Sequence, residues 1–337
     1  MASYPSLIVI MVLVVLVAIV SGATDAPNTI ACAVSTRCLT PGQGLVLVTI
    51  FNFVGLIGMS YISSAVAHTM FGMVDFTGDS HKALLALEAA MIASIVWGGA
   101  CWFLGIPASK SHSIIAGLTG GAVALNGWSA IIWGEWVKVI YGMVFSLVAG
   151  FSLGWLFAKG IERLAKNVER RRGNKVCTII EDICACILAC LYGSQDGQKF
   201  MSIAMLGIML SFGASDLTTT DFPLWLMVLC AAAMSLGTVI GGKRIIKSVA
   251  MDMVKLEKYQ AVAANVPTAI MLLTANLTGL PVSTSHCSTS SVMGVGAAKN
   301  PHHVKWNIAG NMALAWVITF PLCGLLGFGM AKLFMLF

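Results

Sequence analysis

The octapeptide Gly105-Ile-Pro-Ala-Ser-Lys-Ser-His112 returns later in the chain as Gly279-Leu-Pro-Val-Ser-Thr-Ser-His286. A shorter pattern recurs in the same order, as Gly22-Ala-Thr-Asp25 and Gly193-Ser-Gln-Asp196. The two histidines of the first pattern are separated along the chain by nearly the same interval as the two aspartates of the second. Because two independent patterns keep nearly the same offset, the sequence predicts an internal duplication.

The composition excludes a water-soluble globule. Of the 337 residues, 58% are hydrophobic and 10% are charged, and the mean hydropathy is +0.88, whereas a soluble domain carries about a quarter charged residues. One helical crossing takes about 20 apolar residues, so the chain has room for about eight to ten crossings or re-entrant segments. Since lipid offers the backbone no hydrogen bonds, these segments must be helical. We therefore predict an all-α polytopic protein of the cell membrane.

A basic connector at 159–175 divides the chain into a first repeat, 1–158, and a second repeat, 176–337. Its Lys and Arg content predicts a cytoplasmic location. The connector 68–83 has Lys82 as its only Lys or Arg, whereas the equivalent connector 243–258 has five. Equivalent loops with opposite Lys and Arg content are expected to face opposite sides of the membrane. We therefore predict two repeats of inverted topology with broken or re-entrant helices, an arrangement that places substrate sites near the bilayer midplane.

Each octapeptide is predicted to begin a short helix. Proline suits the first helical turn, and Ser or Thr cap its free N–H groups. These N–H groups and the positive end of the helix dipole bind phosphate or sulfate. The predicted substrate-binding residues are Ser109, Lys110, Ser111, Ser283, Thr284 and Ser285. Alternatively the hydroxyls only satisfy backbone groups and hold helices together, but their duplication favours a binding site.

Two aspartates and two histidines accompany these helix starts. Asp25 follows an apolar run in a segment interrupted by glycine and proline, and Asp196 repeats the situation between two glycines. A carboxylate at membrane depth is costly unless it faces a cavity or a partner. It could cap a helix, yet the matching positions favour a site for a coupling cation or proton. His112 and His286 are either direct ligands of the anion or groups that support the neighbouring serines.

These motifs resemble those of the inorganic phosphate transporter (PiT) family of phosphate permeases. The family's Gly-x-Asn-Asp and Pro-x-Ser-(Ser/Thr)-(Ser/Thr)-His motifs, one of each per half, fall on 22–28, 107–112, 193–199 and 281–286. The resemblance implies an inverted-repeat symporter, usually a homodimer, in which paired re-entrant helices hold the anion and the motif aspartates bind sodium or protons. The motif residues that it assigns to the coupling cation are Thr24, Asp25, Asn28, Gln195 and Asp196, and those that support the site are His112, Lys199 and His286. No cofactor or metal site is predicted, because the ten cysteines lack metal-ligand spacing,.

The sequence departs from the family pattern at three positions. The asparagine before each motif aspartate is replaced by Thr24 in one copy and by Gln195 in the other, so sodium dependence does not follow from the resemblance. Lys110 stands where the family generally has a small hydroxyl residue. Its side chain either extends to the membrane surface or places a fixed positive charge near the anion, and the second alternative would suit sulfate.

The sequence predicts a secondary active transporter of inorganic phosphate coupled to H⁺ or Na⁺, with sulfate or another tetrahedral oxyanion as the alternative substrate. A remoter alternative is an intramembrane hydrolase with Ser283, His112 and Asp25 as its triad. Such chemistry needs one asymmetric site and not two near copies, so we predict no enzyme activity. The expected partners are the oxyanion, the lipid bilayer and a second copy of the chain, and no nucleic acid.

Overall fold

The structure is a computed structural model that describes residues 3–104, 109–213, 222–246 and 256–336. In these ranges the regular structure is helical, and the β contact is an isolated bridge between Val74 and Ile131. The helices are α1 (Ser3–Thr24), α2 (Asn28–Ser35), α3 (Pro41–Ile62), α4 (Ala65–Gly72), α5 (Ser80–Leu104), α6 (Lys110–Asn126), α7 (Trp133–Leu164), α8 (Arg170–Ser211), α9 (Leu224–Ile246), α10 (Lys258–Thr278), α11 (Thr284–Lys299) and α12 (Trp306–Phe334). The prediction of an all-α fold is confirmed.

Within the described residues, 8 segments are long and apolar enough to cross a membrane: α1 continued into α2, and α3, α5, α7, α8, α9, α10 and α12. The 32 residues of α7 and the 42 residues of α8 correspond to about 48 Å and 63 Å of helix. Both lengths exceed the hydrocarbon thickness of about 30 Å, so the helices extend beyond it. Large apolar side chains on the outside, such as Leu16, Val54 and Leu325, are exposed, as expected of a surface that lies in lipid.

Two shorter helices, α6 and α11, lie inside this arrangement, and most of their residues are buried. Helix α6 packs on α5 and α12, and α11 packs on α10 and α7. A Cβ atom at Gly120 of α6 would overlap the Gly324 carbonyl of α12, and one at Gly294 of α11 would overlap the Phe151 carbonyl of α7. Glycine at these positions therefore lets each short helix approach its long neighbour closely.

Each helix–helix contact described below has an equivalent contact between the corresponding helices of the other half of the chain. Helix α1 packs on α9, and its counterpart α8 packs on α3. The α6–α12 contact corresponds in the same way to the α11–α7 contact, and the α1–α5 contact corresponds to the α8–α10 contact. This correspondence agrees with the duplication that the two motifs predict.

Helix α8 is continuous, although the sequence predicts a break in it. We expected an interruption beside Asp196 like the one beside Asp25, but α8 runs through Asp196 without a break. The chain does break after Asp25, because Pro27 lacks an N–H group and disfavours helix in the residue before it,. Helix α8 contains no proline. Its Gly193 packs on the backbone of Asn52 in α3, so this glycine allows close packing and does not end the helix.

The basic connector 159–175 is mostly helical, which the sequence analysis did not anticipate. Helix α7 continues to Leu164 and α8 begins at Arg170. Residues 247–255 of the other basic connector lie outside the described residues. The division into repeats 1–158 and 176–337 remains a prediction, and so does their inversion.

Candidate functional site

The two octapeptides begin α6 and α11 with the same cap. The Ser109 Oγ accepts a hydrogen bond of 3.3 Å from the backbone N–H of His112, and the Ser283 Oγ accepts one of 3.3 Å from the backbone N–H of His286. Pro107 lies outside the described residues. The predicted helix starts and their serine caps are confirmed in both halves, but Pro281 lies two residues before the cap of α11 and not in its first turn, as was expected.

The two helix starts contact each other in the protein interior. The Ser111 hydroxyl donates a hydrogen bond of 3.2 Å to the carbonyl of Val282, just before α11. The rings of His112 and His286 lie edge to face with centroids 4.4 Å apart. All six predicted substrate-binding residues are buried. The duplicated hydroxyls therefore lie in one buried region and do not face lipid.

Asp25, at the break between α1 and α2, contacts the start of α11. The Ser285 hydroxyl donates to Asp25 Oδ1 at 2.9 Å, and the Ser21 hydroxyl donates to Oδ2 at 3.4 Å. Asn28 Nδ2 donates to Ser285 Oγ at 3.2 Å. Asn28 is buried, and its Oδ1 has no hydrogen-bond partner among the described residues. A carboxylate of the first half is thus bound to a helix start of the second half.

Asp196 and Lys199 form a buried ion pair in α8. Their Oδ1 and Nζ atoms are 3.0 Å apart, and the Asp196 side chain is 3% exposed and that of Lys199 1% exposed. The Lys199 Nζ also donates to the Ser111 hydroxyl and, at 3.0 Å, to the Val282 carbonyl. The Thr284 hydroxyl donates to Asp196 Oδ2 at 3.3 Å. These two side chains therefore connect α8 to both helix starts, which is more than the supporting role that the resemblance implies for Lys199.

Lys110, the first residue of α6, is 3% exposed. Its Nζ donates to the Ser94 carbonyl of α5 at 3.2 Å. A Cβ atom at Gly98 would overlap this Nζ, so the glycine leaves room for the ammonium group. In the described part of the chain Lys110 takes part in no ion pair. The alternative that Lys110 extends to the membrane surface is therefore wrong, because α6 begins inside the protein.

The rings of His112 and His286 contact aromatic side chains of α12. The His112 ring centroid lies 4.7 Å from that of Phe320, and the His286 ring centroid lies 3.9 Å from that of Trp316. As far as the chain is described, none of the four ring nitrogens has a hydrogen-bond partner. The histidines support the serines through their backbone N–H groups and not through their rings.

Thr24 and Gln195 precede the two aspartates and hydrogen-bond to backbone carbonyls. Thr24 Oγ1 donates to the Val20 carbonyl at 3.0 Å, and Gln195 Nε2 donates to the Leu280 carbonyl at 2.9 Å. Gln195 thereby holds the segment that leads into α11. The roles of Thr24 and Gln195 at a cation site remain predictions.

Tyr192 also holds α11, although it is not among the predicted site residues. Its buried hydroxyl donates to the Thr284 carbonyl at 2.9 Å. The sequence signal for such a role is weak, because an isolated tyrosine in an apolar helix is equally typical of a packing residue.

The groups of the site are suited to binding a charged ligand. Its donors and charges come from the hydroxyls and N–H groups of two helix starts, two carboxylates and two ammonium groups. The hydrolase triad is not formed by the described residues, since Asp25 accepts from Ser285 and the His112 ring nitrogens have no partner there. In the same residues, no group of at least three His, Cys, Asp or Glu side chains is arranged to hold a metal ion.

Membrane-crossing helices around two buried helix starts that carry charges and donors define a multi-pass membrane transporter,. A model of the phosphate transporter family matches residues 21–327. The chain therefore belongs to the phosphate transporter family, which confirms the resemblance found in the sequence. Membership in a family of transporters also agrees with the prediction that the chain is not an enzyme.

Known relatives and a solved structure resemble nearly the whole chain. It is 31% identical over 327 residues to a "probable low-affinity inorganic phosphate transporter" of Bacillus subtilis, covering 95% of this chain and 96% of that protein. A protein of Mycobacterium tuberculosis strain H37Rv with the same description is 33% identical over 312 residues, covering 91% of this chain and 72% of that protein. A solved structure described as "The sodium-dependent phosphate transporter" matches with a TM-score of 0.89 at 20% identity, covering 98% of this chain and 99% of that one. The last match shows a shared fold.

Proposed function

We propose that the protein is a symporter that moves inorganic phosphate across the cell membrane together with H⁺ or Na⁺. The observation that carries this proposal is the meeting of two capped helix starts beside buried carboxylates from both halves. The descriptions of relatives that align with nearly the whole chain support phosphate as the substrate. The fold shared with a sodium-dependent phosphate transporter supports coupling to a cation.

The anion is proposed to bind between the starts of α6 and α11. The first N–H groups of a helix lack partners within the helix, and the helix dipole adds positive potential there. Ser111, Thr284 and Ser285 can turn their hydroxyl donors from the Val282 carbonyl, Asp196 and Asp25 to the anion. Lys199 contributes a positive charge beside Ser111. Because phosphate is tetrahedral, donors that approach from two helix ends can bind several of its oxygens at once.

The charges near the helix starts support the proposed coupling to a cation. Asp25 and Asp196 are balanced by Lys110 and Lys199, so these four buried groups have no net charge when all are ionised. Phosphate would add negative charge in a region shielded from water, which is costly without compensation. A cation beside Asp25 provides that compensation. The Asp25 carboxylate and the Asn28 Oδ1 supply oxygen ligands for Na⁺, and the carboxylate alone can accept a proton.

The two repeats are proposed to lie inverted in the membrane. The paired helix contacts support duplication, and the unequal Lys and Arg content of connectors 68–83 and 243–258 supports opposite orientation,. Inverted repeats allow one repeat to move against the other around a central site, so that access alternates between the two sides. The homodimer rests on the family resemblance alone and remains a prediction.

Phosphate is proposed in preference to sulfate because the relatives that align with nearly the whole chain are described as inorganic phosphate transporters. Sulfate therefore enters the test only as a competitor.

Uptake by purified protein in liposomes tests the proposal. The wild-type protein is expected to take up labelled phosphate under an inward proton or sodium gradient, with little competition from unlabelled sulfate. Asp25→Asn is expected to abolish uptake because it removes the carboxylate that receives the cation. Glu135→Gln makes the same carboxyl-to-amide change in an exposed ion pair with Lys138, so this control should transport normally. Wild-type protein that is inert toward phosphate under both gradients would refute the proposal.

A further inference from the structure

The sequence offset that relates the two motif aspartates also relates Asn28 to Lys199. The two side chains make equivalent contacts: Asn28 Nδ2 donates to Ser285 Oγ, and Lys199 Nζ donates to Ser111 Oγ. Ser285 and Ser111 themselves occupy the same position in the two copies of the octapeptide. The structure thus contains two copies of one polar cluster, with a neutral amide in the first copy and an ammonium group in the second.

The carboxylate of the first cluster has no cation in contact with it. Asp25 accepts hydrogen bonds from Ser285 and Ser21 and forms no ion pair with any described residue. The Lys110 ammonium interacts with Asp25 electrostatically, but it forms no ion pair with Asp25 and donates to the Ser94 carbonyl. A buried carboxylate without a paired cation is costly, which favours the binding of a mobile cation at this position.

The second cluster contains its cation permanently. The Lys199 ammonium has three N–H donors, and its three partners are the Asp196 carboxylate, the Ser111 hydroxyl and the Val282 carbonyl. Carboxylate, hydroxyl and carbonyl oxygens are also the ligands that a hard metal cation takes. The ammonium group therefore lies where a mobile cation would bind if residue 199 were an asparagine.

Building on the proposed symport, we propose that Lys199 is a tethered cation that fills one of two equivalent cation sites. The Asp25 cluster is then the site that exchanges a mobile cation during transport. Asp25 loses and regains its cation in each cycle, whereas Asp196 keeps Lys199 throughout. Phosphate uptake by the wild-type protein should accordingly be first order in the coupling cation.

Lys199→Asn tests this inference by giving the second cluster the side chain of the first. Below saturation, a tenfold dilution of the coupling cation is expected to slow wild-type uptake about tenfold and Lys199→Asn uptake about a hundredfold, because two cations then bind per phosphate. Asn28→Lys should make uptake independent of the cation, because both clusters then carry an ammonium group. Lys299→Asn makes the same change at a surface lysine paired with Glu257, so this control should remain first order.

Binding of radioactive sodium to purified protein in detergent separates this inference from the proposed function. Folded Lys199→Asn is expected to bind about one more sodium ion per chain than the wild type, whether or not it transports. The additional ion should disappear when Asp196→Asn is combined with Lys199→Asn.

Three outcomes would overturn the inference: wild-type uptake that is second order in the cation, folded Lys199→Asn without additional bound sodium, or Asn28→Lys with unchanged cation dependence and sodium binding. The Asn28→Lys result decides the matter if Lys199→Asn does not fold. Wild-type protein without phosphate uptake would refute the proposed function, and the sodium counts would still decide the role of Lys199.

Discussion

Replacing Asp196 by Asn would leave the Lys199 ammonium buried without its carboxylate. Because the Lys199 side chain is 1% exposed, water cannot solvate the charge that remains. The new amide oxygen, the Ser111 hydroxyl and the Val282 carbonyl could still accept from the ammonium, but none of them carries a compensating negative charge,. Breaking a buried ion pair by removing one partner costs about 3–5 kcal/mol. We expect Asp196→Asn to lower the free energy of unfolding by about this amount.

An exposed ion pair with the same sequence spacing provides the control. Glu135 and Lys138 on α7 are 2.7 Å apart, but their side chains are 27% and 46% exposed. Exposed pairs of this kind contribute about 0–1 kcal/mol, so Glu135→Gln should change the unfolding free energy by less than about 1 kcal/mol. The comparison separates the effect of burial from that of distance.

Thermal unfolding of the purified variants in one detergent measures these differences. The double variant Asp196→Asn/Lys199→Met removes both charges and should recover much of the stability lost by Asp196→Asn, because no buried charge then remains without its partner. The reasoning would be refuted if Asp196→Asn melted at the same temperature as Glu135→Gln. It would also be refuted if the double variant were less stable than Asp196→Asn alone.

Two further predictions concern packing around the helix starts and use the same melting assay. Gly294→Ala is expected to cost about 1–3 kcal/mol because the new Cβ overlaps the Phe151 carbonyl, whereas Gly329→Ala, where a Cβ meets nothing within 4 Å, should be neutral or stabilising,. Equal losses for the two glycines would contradict this account of the α11–α7 contact. His112→Phe should lose less than about 1.5 kcal/mol, and His112→Ala should lose about 3 kcal/mol by removing the ring beside Phe320,. A Phe variant as unstable as the Ala variant would show that the ring nitrogens do have partners.

The helix starts could be predicted from the sequence because their determinants are local. Ser109 and Ser283 cap α6 and α11 through N–H groups only three residues away,. The break after Asp25 follows in the same way from Pro27,. Where one proline or one serine decides the backbone, no knowledge of the neighbouring helices is needed.

The prediction of a helix break beside Asp196, made by analogy with Asp25, was wrong. A glycine can interrupt a helix, but it can also let two helices pack closely. Gly193 and Gly197 resemble a helix break, yet they pack closely on Asn52 and Leu56 of α3. A glycine lowers the stability of a helix by about 1 kcal/mol, which tertiary packing can override. The sequence does not show which neighbour a glycine will contact, so it does not separate the two uses.

Partners that come from distant helices could not be predicted either. Lys199 contacts Ser111, which is 88 positions away in the chain, and the His112 ring packs on Phe320 of α12. The position of the Lys110 side chain could not be predicted from the sequence either. Lysines near helix ends often extend their ammonium groups to the membrane surface, but the first residue of α6 lies inside the protein, and its ammonium group donates to a carbonyl on α5.

Each half of the chain completes the other half's polar cluster, since Ser285 binds Asp25 and Ser111 binds Lys199. A single repeat expressed alone would accordingly present an unfinished pocket. Two identical copies of one half could not place an asparagine in one cluster and a lysine in the other, so the unequal pair Asn28 and Lys199 requires both halves of this chain.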